Sequence, residues 1–147
     1  MVDLNRQEEL RAAIELFYFG YRGFTDRADR ILERRGLGRV HHRILYFVGR
    51  NPEVSVKGLL EILGVSKQAI NAPLRQLTEM KLVAMAASAA DRRVKALRLT
   101  ADGARLEAEL TGTQMRQLAA AFEVVGEGRE AGWREVMRQI AGGSSGS

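Results

Sequence analysis

The stretch Gly64–Thr100, GVSKQAINAPLRQLTEMKLVAMAASAADRRVKALRLT, decides the fold. Ile70, Leu74 and Leu77 recur at steps of four and three, which makes one buried stripe along an α-helix. Ser66 stands just ahead of that helix, where its hydroxyl can accept from a backbone N–H two or three residues on. The opposite face carries Lys67, Gln68, Asn71, Ala72, Arg75 and Glu79. Amides and a cation on the first turns of an exposed helix suit a major groove, because Gln or Asn pairs bidentately with adenine and Lys with guanine. A merely solvated helix face would carry the same residues, so the flanking sequence has to decide.

Upstream, PEVSVKGLLEILGVS offers a second short helix, with Ser55 as N-cap and Val56, Leu59, Leu60 and Leu63 turned inward. Gly64 closes it with a tight turn before Ser66, giving helix, short turn, helix: the helix-turn-helix arrangement. Downstream, Leu82–Met85 and Val94–Leu99 are two strand-length runs. In the second, Val94, Ala96 and Arg98 face one way while Lys95, Leu97 and Leu99 face the other. The small-residue segment between the runs ends in Asp91-Arg92-Arg93. That pattern predicts a β-hairpin wing with arginines where a minor groove could take them.

Taken together, Leu59, Leu63-Gly64-Val65-Ser66, Leu77, Leu82-Val83, Asp91-Arg92-Arg93 and Leu99-Thr100 with Gly103 resemble the MarR family of winged-helix transcription regulators. The resemblance runs from Val40 to Leu110 by motif and over the flanks by helix pattern only. It implies a mainly α fold with a small β-hairpin wing, a winged helix-turn-helix domain flanked by N- and C-terminal dimerisation helices. It also implies that the wing aspartate, here Asp91, orients a neighbouring arginine. A small-molecule effector, often aromatic or anionic, would bind between the dimer helices and the winged part. The sequence departs from the family pattern in places. Relatives often carry arginine where this chain has Ala72, and basic residues early in the wing where it has Met85-Ala86-Ala87. Pro73 removes the helical hydrogen bond to the Ala69 carbonyl and disfavours helical geometry at Ala72, at a cost of ~3 kcal/mol. A kinked recognition helix, or one with its first turns re-aimed, is expected.

The formal net charge of +5 is unevenly divided. Residues 1–38 hold 7 Lys/Arg and 7 Asp/Glu, residues 39–105 hold 12 and 5, and residues 106–147 hold 4 and 6. Basic excess sits only where the helix-turn-helix and wing fall, as a phosphate-binding surface requires. At 147 residues the chain is long enough for one domain and short enough to gain from dimerisation. With no cysteine, disulfides and thiol redox sensing have no part. The N-terminus MVDLNRQEELR lacks a signal-peptide core, and no apolar run approaches the ~20 residues that span a bilayer. A soluble, cytoplasmic protein without a membrane partner is expected. Residues 1–141 read as a single domain, with 39–100 as the winged part and 142–147, GGSSGS, as a flexible tail or linker.

From Leu4 to Arg35, the residues Leu10, Ile14, Phe17, Tyr21, Phe24, Ala28 and Ile31 form a heptad-like seam. Gly20 and Gly23 each cost about 1 kcal/mol of helix propensity against Ala, which predicts close approach by a neighbour or a bend. Arg39–Arg50 is a second helix with Val40, Ile44, Phe47 and Val48 inward, stopped by Asn51-Pro52. His41 and His42 point about 100° apart and cannot easily share an ion, and without cysteine a metal site would need Asp or Glu. One histidine is expected to pack in the dimer region and the other to be solvated. After the wing, Thr100 caps a long helix with a stripe at Leu106 and Leu110. A second stripe at Met115, Leu118, Phe122 and Val125 is offset near Gly112. Gly126-Glu127-Gly128 turns the chain into a last helix, Glu130–Ala141, with Trp133, Val136, Met137 and Ile140 apolar. The helices at 4–35 and 100–141 carry more apolar surface than one winged domain can cover, and such patches mean association. A two-fold dimer would set two recognition helices one duplex turn apart on a near-palindromic operator.

The expected function is a sequence-specific regulator of transcription on double-stranded DNA, a homodimeric repressor relieved by an effector. Lys67, Gln68 and Asn71 are the base-reading candidates. Ser55, Ser66 and Arg75 would hold phosphates, partly through helix N-terminal amides. Arg92 or Arg93 would enter the minor groove, with Asp91 in support and Lys95 beside them. Phe17, Tyr18, Tyr21, Arg22, His42 and Tyr46 border the expected effector space; polar-tipped aromatics and a cation suit a phenolic or carboxylate ligand, and would serve equally in a dimer interface. No nucleophile–base pair, phosphate loop or metal motif occurs, so neither an enzyme nor a bound cofactor is expected. Two alternatives stand beside this reading. One is a winged helix used for protein contacts with little DNA affinity, favoured by Ala72, Pro73 and the alanine-rich wing. The other is a metal-responsive regulator.

Overall fold

In the computed structural model, which describes residues 3–142, α1 (Leu4–Arg34) is one uninterrupted helix. Asp3 caps it by accepting from the Asn5 N–H. A Cβ on Gly20 would meet nothing within 4 Å, so nothing in the chain itself crowds that glycine. There follow α2 (Arg39–Arg50), β1 (Val54–Ser55), α3 (Val56–Leu63), α4 (Lys67–Glu79), β2 (Val83–Ala87), β3 (Lys95–Leu99), α5 (Ala101–Val125) and α6 (Glu127–Ile140). The chain divides into two compact units, residues 1–113 and 114–147. The expected tail beyond Gly142 lies outside the described residues. Among the described residues no helix is long and apolar enough to cross a membrane.

The first unit is held by apolar residues from every one of its helices and from the wing. Leu32, Ile44, Leu45, Leu59, Leu77, Leu97 and Leu110 are all fully buried in one cluster. Each such side chain contributes about 1.5–3 kcal/mol relative to exposure. The stripe expected on α4 is the buried one: Ile70, Leu74 and Leu77 face this core. Local chemistry sets the helix-turn-helix. The Ser55 hydroxyl accepts from the Gly58 N–H at 2.9 Å to start α3. Gly64 ends it in the left-handed region at φ 65°, where a side chain would be strained. The Ser66 hydroxyl then accepts from the Ala69 N–H at 3.2 Å and starts α4. Pro73 does not interrupt α4, which runs through it.

The wing is a three-stranded antiparallel sheet in the order β1-β3-β2. Val83 pairs with Leu99 and Ala87 with Lys95, so β2 reaches two residues beyond the expected run. β1, unforeseen from the sequence, sets Val54 opposite Leu97 and Ser55 opposite Ala96. Two residues are too few to display an alternating pattern. Along β3, neighbouring Ala96 and Leu97 are both buried while Lys95 and Arg98 are exposed. Arg98 pairs with Glu53 just before β1. The wing is fixed to α5 at Thr100, whose hydroxyl donates to the Lys81 carbonyl (2.6 Å) and accepts from the Gly103 N–H (3.0 Å). A Cβ on Gly103 would stand 1.9 Å from the Leu82 carbonyl oxygen, so only glycine fits there.

Neither histidine is solvated, contrary to expectation; each is only 9% exposed. His41 turns back to cap its own helix, and His42 lies against α5, where its Nε2 is 3.2 Å from the Thr111 hydroxyl. α5 is continuous past Gly112, and Leu110, Thr111, Gly112 and Thr113 form one buried band. In the second unit α6 begins at Glu127, three residues earlier than expected. Glu127 and Glu130 in its first turn favour a helix N-terminus. There the Phe122 and Trp133 rings stand 5.3 Å apart, and the Arg134 guanidinium lies over Phe122.

Candidate nucleic-acid interface

Burying Ile70, Leu74 and Leu77 forces the intervening positions of α4 outward. Lys67, Gln68, Asn71 and Arg75 are all exposed. Among the described residues none of these four makes a side-chain hydrogen bond or ion pair within the chain. Lys67, Asn71 and Arg75 line one side of an open groove of about 390 Å³, with Met85 of β2 and Val56 of α3 on its other walls. Glu79, which spacing already set on this face, borders the groove as well, whereas spacing alone did not bring Val56, Thr78 or Met85 to it. Val56 and Met85 come to it through the packing of α3 and the sheet against α4, which is not written locally. Ser55 and Ser66 spend an acceptor lone pair on their caps, leaving each O–H free to donate.

At the wing, the Asp91 carboxylate accepts from the Arg93 backbone N–H at 3.0 Å and from its guanidinium at 3.2 Å. Those bonds from Arg93 hold the Asp91 carboxyl below the usual carboxylate range. The Arg93 side chain remains 90% exposed, aimed but not covered. Arg92 and Lys95 are exposed, and among the described residues their side chains make no hydrogen bond or ion pair. Arg75 and the wing cations thus belong to one unit but to different elements, the helix supplying one set and the hairpin the other.

The expected effector residues take separate partners. Arg22 lies 5.7 Å from the centroid of the Tyr18 ring. The Tyr21 hydroxyl accepts from Arg43 at 2.9 Å, while Arg39 lies over the Tyr21 ring and forks onto Asp29. The Asp29 carboxylate raises the Arg39 pKa further. Phe17 is exposed, Tyr46 stands edge-on to Phe47, and His42 is turned to Thr111. Burial pushes the His42 pKa down, opposed in part by the Glu107 and Asp29 carboxylates. Among the described residues no group of three or more His, Asp or Glu side chains is placed to hold a metal ion.

A sequence model of the MarR family matches residues 35–94, from the end of α1 to the end of the wing tip. The chain is 42% identical over 133 residues to the HTH-type transcriptional regulator PetP of Rhodobacter capsulatus, spanning 90% of this chain and 80% of that protein. Among solved structures it is similar to the MarR family transcription regulator SP03579, with a TM-score of 0.78, 18% identity, and 94% of this chain and 91% of that one covered. It is also similar to S. aureus MepR in its DNA complex, with a TM-score of 0.71, 18% identity, and 88% and 96% of the two chains covered. At those identities the structures share the fold alone. Family model, relative and fold agree, and the chain belongs to the MarR family of winged helix-turn-helix transcription regulators.

Proposed function

We propose that two copies of this chain bind a near-palindromic double-stranded operator and repress transcription until a small aromatic or anionic effector releases them. The observation that carries the reading is the outward face of α4. Lys67, Gln68, Asn71 and Arg75 stand exposed there without partners within the chain, beside a wing that presents Arg92 and Arg93. Lys67, Gln68 and Asn71 read base edges, and Arg75 with the Ser55 and Ser66 hydroxyls holds phosphates. Asp91 aims Arg93 toward the minor groove, with Arg92 and Lys95 adding charge. MepR, which has this fold, was crystallised with DNA, which supports the reading. Residues 4–35 and 100–141 would join the two copies. Phe17, Tyr18, Tyr21, Arg22, His42 and Tyr46 would border the effector.

Selection of bound sequences from a random duplex library tests this directly. Enrichment of a near-palindrome with half-sites about 10 base pairs apart is the expected result. A second reading, protein contact through the winged part, is favoured by Met85, exposed on β2 beside the same groove, and by exposed Ile62 and Val65 of the helix-turn-helix. It takes over if nothing is enriched.

A further inference from the structure

α4 sends two side-chain hydrogen bonds to the corner between α1 and α2, both from Gln76. Its amide nitrogen donates to the Gly36 carbonyl at 3.2 Å, and its carbonyl oxygen lies 2.9 Å from His41 Nε2. His41 Nδ1 in turn lies 2.9 Å from the Gly38 N–H. Backbone groups at the two ends fix every role in this chain of bonds. The Gly38 N–H can only donate, so Nδ1 is the acceptor and the ring proton sits on Nε2. That proton needs an acceptor, which turns the Gln76 carbonyl toward it and leaves the Gln76 amide N–H for the Gly36 carbonyl. A flipped amide would set donor against donor at one end and acceptor against acceptor at the other. Gln76 is half-buried and His41 buried, so water competes less for the bond between them than for the exposed one from Gln76 to Gly36. On α4, Gln76 adjoins Arg75 and lies beside buried Leu77, at the boundary between the reading face and the core.

We propose that Gln76, clasped by Gly36 and His41, is a positioning residue that sets the angle of the recognition helix to α1, and through it the half-site spacing the dimer accepts. The proposal rests on the reading above, in which α1 joins two copies and α4 reads DNA. Core packing of Ile70, Leu74 and Leu77 fixes which face of α4 is inward, but apolar contacts are non-directional and tolerate small rotations. The clasp supplies direction. It also joins the recognition helix to the segment that immediately follows α1, without touching any group that would meet the duplex.

The test compares the wild-type chain with Gln76→Leu, which keeps the bulk and loses both bonds, and with His41→Glu. Glutamate at this third helical position still accepts from the cap N–H but has no proton for Gln76. Each is titrated against the selected duplex, against duplexes with one base pair inserted or removed between half-sites, and against a single half-site. The wild type should prefer its own spacing. Both variants should lose about threefold to tenfold of that preference, the factor that one or two neutral hydrogen bonds are worth. Half-site affinity should be unchanged, and the double variant should be no worse than either single one. A fall in melting temperature with spacing preference intact makes Gln76 merely structural and overturns the proposal. So does equal weakening on every duplex. If the wild type itself enriches no duplex, the DNA reading fails first and takes the clasp's role with it.

Discussion

Within residues 39–100 most large apolar side chains are inside and the outward face of α4 is polar, while along α1 and α6 most large apolar side chains are exposed. Ile44 and Ile70 are 0% and 1% exposed, whereas Ile14 on α1 and Ile140 on α6 are 68% and 61% exposed. The first pattern is a finished core with a surface ready for an anion. The second is what half of the proposed dimer interface would show, because exposed apolar area gains about 25 cal/mol per Å² only when another apolar face covers it. Net charge follows the same division, with the excess of 12 Lys/Arg over 5 Asp/Glu confined to residues 39–105. Under the proposed function the first region would face a partner of opposite charge and the second a copy of itself.

The largest effect is expected where the first region joins α5. Gly103 lies on α5 against the end of the wing, and a methyl group there would overlap the Leu82 carbonyl, a backbone atom that cannot step aside. Gly103→Ala should therefore cost at least about 3 kcal/mol in denaturant unfolding. Wild-type stability in that variant would mean that the wing and α5 are not locked together as described. Next in size is Ile14→Asp, which puts a charge on the apolar face of α1. Sedimentation should show the dimer lost, and operator affinity should fall about 10²-fold or more as the second half-site is released. A variant that remains dimeric would place the interface elsewhere.

Much of this division is legible in the sequence, for identifiable reasons. Helix α2 falls where its stop at Asn51-Pro52 puts it, and α3 and α4 begin at Ser55 and Ser66 because those caps act through bonds only three residues long. What was not legible depends on partners far along the chain. Strand β1 exists because Leu97 and Ala96, some forty residues later, offer it an edge. His41 was expected to be in the dimer region or solvated; its ring is instead fixed by Gly38 nearby and by Gln76, 35 residues away. No periodicity encodes that second contact. Gly103 belonged to the recognised motif, but its reason, the approach of the Leu82 carbonyl, emerges only when the wing is folded back.

Within the polar face, helix and wing residues should separate by what they read. Arg75→Ala and Arg92→Ala remove charge that the proposed function assigns to phosphates, so each should weaken binding to all duplexes alike and lower the slope of log affinity against log salt by about one. Asn71→Ala should leave that slope alone and cost about 1–3 kcal/mol of discrimination at a single base position. If Asn71→Ala changed the slope, or Arg75→Ala changed the preferred base, the division of labour along α4 would be wrong.

The smallest effect concerns a buried ring on α2, away from that face. His42 is buried against Thr111, and burial lowers its pKa below the ordinary value of 6.5, with Glu107 and Asp29 opposing the shift and Arg43 adding to it. As pH falls through 6.5, the unfolded chain takes up a proton on this ring while the folded protein still holds it neutral. The unfolded state then binds more protons, so stability must decline until the folded pKa is also passed. Above the unfolded value the contribution is flat. Unfolding free energy measured between about pH 8 and about pH 5 should therefore fall on the acid side, and less steeply in His42→Gln, which cannot titrate. Glutamine can still bond the Thr111 hydroxyl, so the two proteins should converge in behaviour at the alkaline end. An unchanged acid slope in the variant would assign the pH dependence to other groups and leave His42 a packing residue with no titration of consequence.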